Sequence, residues 1–167
     1  MKPLHLMLPL LFVAQMAQAT DLFDLTGEWR GNGAIVSEPG QPGREGRCRI
    51  TAIPLVEGKE IRLKGRCATD QGSAELSMRF VLYPGGILAG GIASSTQPDS
   101  IQFDGRLEGD VARLASRKVV DVDGLRGTSN FTLTITDASH FRLRQWLVPE
   151  DGSAAVGMVD MAFIRVP

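Results

Sequence analysis

Three observations predict an all-β fold, an antiparallel up-and-down barrel of about eight to ten strands preceded by a short N-terminal helical turn. First, apolar and polar residues alternate with a period of two almost everywhere past residue 27, the spacing of half-buried strands. Second, turn signals interrupt that alternation at short intervals: "EPGQPGREG" at 38–46, "EG" at 57–58, "DQG" at 70–72, "PGG" at 84–86, "QPD" at 97–99, "EGD" at 108–110, "DVDG" at 121–124 and "PEDG" at 149–152. Connections this short force each strand to run antiparallel to the one before it. Third, 19 glycines with only 6% aromatic residues describe a chain of tight turns and aliphatic strands. A meander of this kind closes into a barrel that leaves no open edge; a two-sheet sandwich is the competing arrangement.

The elements follow in chain order. Lys2, the apolar run "LHLMLPLLFV" at 4–13 and the small-x-small "AQA" at 17–19 read as a secretory signal peptide, residues 1–19, cleaved after Ala19. The run is too short to span a bilayer, and no cysteine lies near the cut to take a lipid anchor. Residues 20–167 are then a single exported domain, periplasmic or secreted. "TDLFDL" at 20–25 suggests a helical turn placed as a plug across one barrel end, and "LTGEWRGNG" at 25–33 opens the first strand.

Cys48 and Cys67 are the only cysteines, and an exported pair is expected to be oxidised. If Glu57 and Gly58 form a two-residue hairpin loop, Cys48 faces Cys67, Ile50 faces Gly65 and Ala52 faces Leu63. The reverse face then carries Arg49, Thr51, Arg62, Lys64 and Arg66. Counting from that loop sets the cysteines at a wide, hydrogen-bonded pair, unless Pro54 marks a bulge that shifts the count. Further strands follow in "AELSMRFVL", with Leu76, Met78, Phe80 and Leu82 on one face, and in "SIQFDGRLEG", with Ile101, Phe103 and Leu107. "NFTLTIT" sets Phe131, Leu133 and Ile135 against three threonines.

Candidate chemistry is sparse. His140 in "DASHFRLRQW" is the one histidine beyond the signal segment, and its place after Ser139 at a strand start suits a turn residue better than a metal ligand. Ser94 and Ser95 in "GGIASST" lack the G-x-S-x-G elbow of a nucleophile. "DVDG" lacks the remaining ligands of a calcium loop. No catalytic, metal or cofactor residues are assigned, and a non-enzymatic protein is expected. A formal charge of −1 offers no global field for nucleic acid, and no later segment is apolar for long enough to anchor the chain in a membrane. A monomer is expected.

"LTGEWRGNG" resembles the G-x-W signature of the lipocalins and the wider calycin superfamily. Its longer form, Gly27-x-Trp29-x-Gly31-x-Gly33, is similar to the start of nitrobindin-type haem barrels. The resemblance implies that Trp29 closes the barrel base with a basic side chain from a late strand packed over it: Arg165 in "FIRVP" first, Arg144 second. The haem barrels also require a histidine near the C-terminus, and "AAVGMVDMAFIRVP" has none, so no haem is expected. A second resemblance covers "GEW", "CRI" and "GRC", which are similar to motifs of small periplasmic inhibitors of secreted metalloproteases; it implies that the N-terminal arm "TDLFDL" inserts into a protease cleft.

The expected function is therefore binding, with a small apolar or amphipathic ligand held inside the barrel. Inward positions include Ile50, Leu63, Leu76 and Leu133, with Met78, Phe80, Phe103, Phe131 and Phe141 as ligand-lining candidates. A barrel of about eight strands is just filled by its own side chains, whereas about ten leave a cavity. The alternative is a protein-binding or inhibitory module that uses the N-terminal arm, or a docking patch of Arg49, Arg62, Lys64 and Arg66 for an acidic partner or anionic surface.

Overall fold

The alternating segments form eleven strands in the computed structural model, which describes residues 21–97 and 99–167. The predicted signal peptide, residues 1–19, lies outside the described residues. The strands are β1 (Gly27–Ile35), β2 (Arg44–Val56), β3 (Glu60–Thr69), β4 (Gly72–Tyr83), β5 (Ile87–Ser94), β6 (Ile101–Glu108), β7 (Val111–Ser116), β8 (Val120–Val122), β9 (Leu125–Asp137), β10 (His140–Pro149) and β11 (Val156–Arg165). Each pairs antiparallel with its neighbour. β9 pairs with both β7 and β10, and β11 returns to β1, so ten strands close into a barrel while β8 flanks the first residues of β9. A ring without a break excludes the two-sheet sandwich.

The opening glycines are explained at the seam between β1 and β11. Phe163 stands opposite Gly31, and a Cβ on Gly31 would sit 2.4 Å from its ring. One step along the same inner face, a Cβ on Gly33 would lie 2.0 Å from the Asp160 carbonyl oxygen. Neither position has room for a side chain, so the first strand can coil against the last only with glycine there.

One barrel end is shut. Leu22, Phe23 and Leu25 are buried around a single 3-10 turn at Leu22–Asp24, which is held by a reciprocal cap. The Asp21 carboxylate accepts from the Phe23 amide, and the Asp24 carboxylate accepts from the Asp21 amide. The segment is thus the expected plug. Trp29 lies beside it at 1% exposure, with Phe141 edge-on at 4.9 Å and Phe163 stacked on Phe141 at 4.5 Å. A second aromatic group, Phe80, Phe131 and Phe103, extends the floor, with ring centroids 5.8 Å and 6.3 Å from Phe131.

Arg165 stands opposite Trp29 in the β1–β11 register, and its guanidinium donates to the Thr26 hydroxyl at 2.9 Å. Arg144 lies on the outer wall against Asp160 at 3.4 Å, away from the indole. The indole Nε1–H has no acceptor among the described residues, so Trp29 contributes through ring packing alone.

Trp29→Ala is expected to cost about 3 to 5 kcal/mol, from lost buried area and the cavity left behind. Urea unfolding should show a lower midpoint with an unchanged slope. A loss below about 1 kcal/mol, the size of an ordinary surface effect, would contradict the closed floor.

Candidate functional site at the open end of the barrel

The opposite end opens into a cavity of about 770 Å³ above the aromatic floor. Cross-strand register decides which side chains reach it. Met78, Ile92 and Ile101 form one level across β4, β5 and β6, and all three line the cavity. Phe80, Gly90 and Phe103 form the next level toward the closed end, and neither ring lines it. Of the ligand-lining candidates, Met78 and Phe131 are therefore in the cavity wall. Phe80, Phe103 and Phe141 are packed below it, each 1% exposed. Period-two alternation marks a residue as inward but carries no height along the barrel axis, which is why those three rings were indistinguishable from true lining residues in the sequence.

Three further features complete the wall. Met158 and Met161 of β11 join Met78, so every methionine beyond residue 20 faces this space. Ser129, 2% exposed, accepts from the Gln145 side-chain amide at 2.9 Å, a part-buried polar pair in a lining that also includes Thr69, Gln71, Ser94 and Thr96. The Ser129 amide in turn donates to the Ser116 hydroxyl at 3.1 Å. Both residues were legible in principle, because Ser129 falls in phase with Phe131 and Gln145 in phase with Phe141 and Leu143. Asp121 and Asp123 stand exposed where the β8 turn meets the mouth.

The Cys48–Cys67 disulfide is part of the same wall. Its residues face each other as expected, and so do Ile50 and Gly65, and Ala52 and Leu63. The turn differs from the expected two-residue loop. The register slips between Pro54 and Val56, and Leu55 is the extra residue of a bulge beside the proline. The wide-pair spacing counted from the loop therefore does not reach the cysteines, whose Cα atoms are 4.0 Å apart, as in a narrow pair.

The remaining candidates lie elsewhere. Leu22, Phe23 and Leu25 point into the barrel's own core, so this part of "TDLFDL" is not a free arm that could enter another protein. Arg49, Arg62, Lys64 and Arg66 form a row on the outer wall, with Arg49 directly opposite Arg66. His140 is the first residue of β10, its Nδ1 2.9 Å from both Asp137 oxygens. That contact and the Ser139 amide hold the Asp137 carboxyl below its ordinary range. On the outer wall a two-pronged contact from Arg142 does the same for Asp160.

Comparison with protein-family models and with curated proteins gives no match to this chain. The barrel is compatible with a calycin-like architecture on geometry alone.

Replacing both cysteines, Cys48→Ser with Cys67→Ser, is expected to leave a folded barrel that is about 2 to 4 kcal/mol less stable, because the unfolded chain regains the entropy of an open loop. Thermal unfolding with and without reductant measures this. Free thiols in non-reducing peptide mapping of the native protein would contradict the pairing.

Proposed function

We propose that this protein binds a small apolar or amphipathic ligand in the open end of the barrel and does not transform it chemically. The observation that carries the reading is the cavity of about 770 Å³ walled by Met78, Met158 and Met161. Its volume falls in the range of small-molecule sites, about 300 to 1,000 Å³. Methionine is flexible and polarisable, and it adapts to ligands of varied shape. Ser129 and Gln145 supply one polar contact, enough to orient a ligand with a single polar group while its apolar part reaches Met78 and Phe131.

The disulfide supports an oxidising compartment, and together with the signal-like N-terminus it favours a periplasmic or secreted site of action. No helix among the described residues is long and apolar enough to cross a membrane.

Native mass spectrometry of protein purified without refolding should show a retained small molecule, and a fluorescent apolar probe should bind saturably. Ile92→Trp places an indole in the cavity beside Met78 and should weaken probe binding about tenfold or more while leaving the fold intact, since overpacking at a site with free space costs little. Unchanged binding in this folded variant would contradict the site.

A further inference from the structure

The charges on the outer wall are unevenly paired. Every arginine between residues 100 and 150 has a carboxylate partner: Arg106 and Arg113 with Glu108, Arg117 with Asp104, Arg126 with Glu150, and Arg142 and Arg144 with Asp160. On the wall of β1 to β3, Arg30, Arg49, Arg62, Lys64 and Arg66 make no ion pair among the described residues. Register makes the contrast sharper. Arg30 faces Arg49, Arg49 faces Arg66, and Arg62 faces Arg79, whose own partner is Glu60. Like charges set directly opposite one another destabilise a sheet. Arg66 also stands opposite Glu75 on β4, so the repulsion is centred on Arg30 and Arg49, where an anionic surface lying against the wall would relieve it.

At the closed end the same wall terminates in exposed apolar residues. Ile53, Leu55 and Val56 lie at the β2–β3 hairpin, 40%, 38% and 49% exposed, and Tyr83 and Ile87 flank the β4–β5 turn at 51% each. The two tips are joined, because the Leu82 amide donates to the Lys59 carbonyl at 2.8 Å. Ile53 stands directly opposite Arg62, so the apolar tip and the cation row are continuous. Arg49 is four residues from Ile53, about 13 Å along the strand.

We propose that the closed end is a docking surface for an anionic lipid membrane, with the two hairpin tips entering the interface and the unpaired cations at headgroup depth. The tips are hairpin turns flanked by exposed Ile53, Leu55, Val56, Tyr83 and Ile87, with Glu57 and Lys59 of opposite charge in the β2–β3 turn. Lipid accommodates such a shape by parting, but a folded acidic protein could take it only in a matching groove. Tyr83 is of the type enriched at membrane interfaces, and each cation near an anionic surface strengthens adsorption several-fold. The contact is reversible and peripheral. It leaves the open end of the barrel, and any ligand there, facing away from the bilayer.

Vesicle flotation of the purified protein tests this, with phosphatidylcholine alone against phosphatidylcholine mixed with phosphatidylglycerol. Binding is expected only to the anionic vesicles and should fall at high salt. Leu55→Ser with Val56→Ser, and separately Arg62→Glu with Lys64→Glu, should each reduce partitioning about tenfold or more at an unchanged melting temperature. Equal binding to both vesicles, or none to the anionic ones, would overturn the proposal without recourse to any variant. Full binding by the serine tip variant would also overturn it, and would reassign the cation row to a soluble polyanion or acidic protein.

Discussion

The pairing of the first strand with the last is the constraint on which the rest of this molecule depends. Only ring closure gives β1 and β11 a partner on both sides, and it brings the start of β1 beside the residues that follow β11, with the Val166 amide donating to the Glu28 carbonyl. The seam tolerates no side chain at Gly31 or Gly33, because Phe163 and the Asp160 carbonyl occupy those positions. Once the seam is closed, Trp29, Phe141 and Phe163 are brought into one stack, and the plug of Leu22, Phe23 and Leu25 has a base to cover. A tryptophan among glycines has a steric basis here: the glycines admit the neighbouring strand, and the indole fills what that strand leaves.

Closing one end fixes the character of the other. Ten strands enclose more space than two aromatic clusters can fill, and those clusters are gathered near the plug. The remaining volume is walled by half-buried aliphatic residues such as Leu76, Ile92 and Val159, by methionines, and by a disulfide that ties β2 to β3 at that height. Apolar surface left open to water is a cost to the free protein, and a ligand of matching chemistry relieves it.

The barrel was legible in the sequence because alternation and short turns are local signals. The cysteine register was legible for a sturdier reason, since small and apolar residues faced one another on one side and cations on the other. What failed there was the loop: a bulge at Leu55 changes the turn yet leaves the pairing from Arg47 to Pro54 intact. Height along the barrel was not legible. Met78 and Phe80 carry the same sequence signal, and only the stagger of neighbouring strands puts one in the cavity wall and the other in the floor. The segment "TDLFDL" could be read as a plug or as an inhibitory arm, and burial of Leu22, Phe23 and Leu25 decides for the plug. Ser129 and Gln145 stand in phase with apolar residues, but alternation within one strand gives no sign that two such polar residues on neighbouring strands meet.

Met78, Met158 and Met161 are the methionines beyond residue 20, and all three border the cavity, which makes them natural reporters. With methyl-labelled methionine, the NMR signals of all three should move together as an apolar ligand is titrated, with a single saturation curve. Saturable binding that leaves these methyl signals unmoved would place the ligand elsewhere and contradict the open end of the barrel as the binding site.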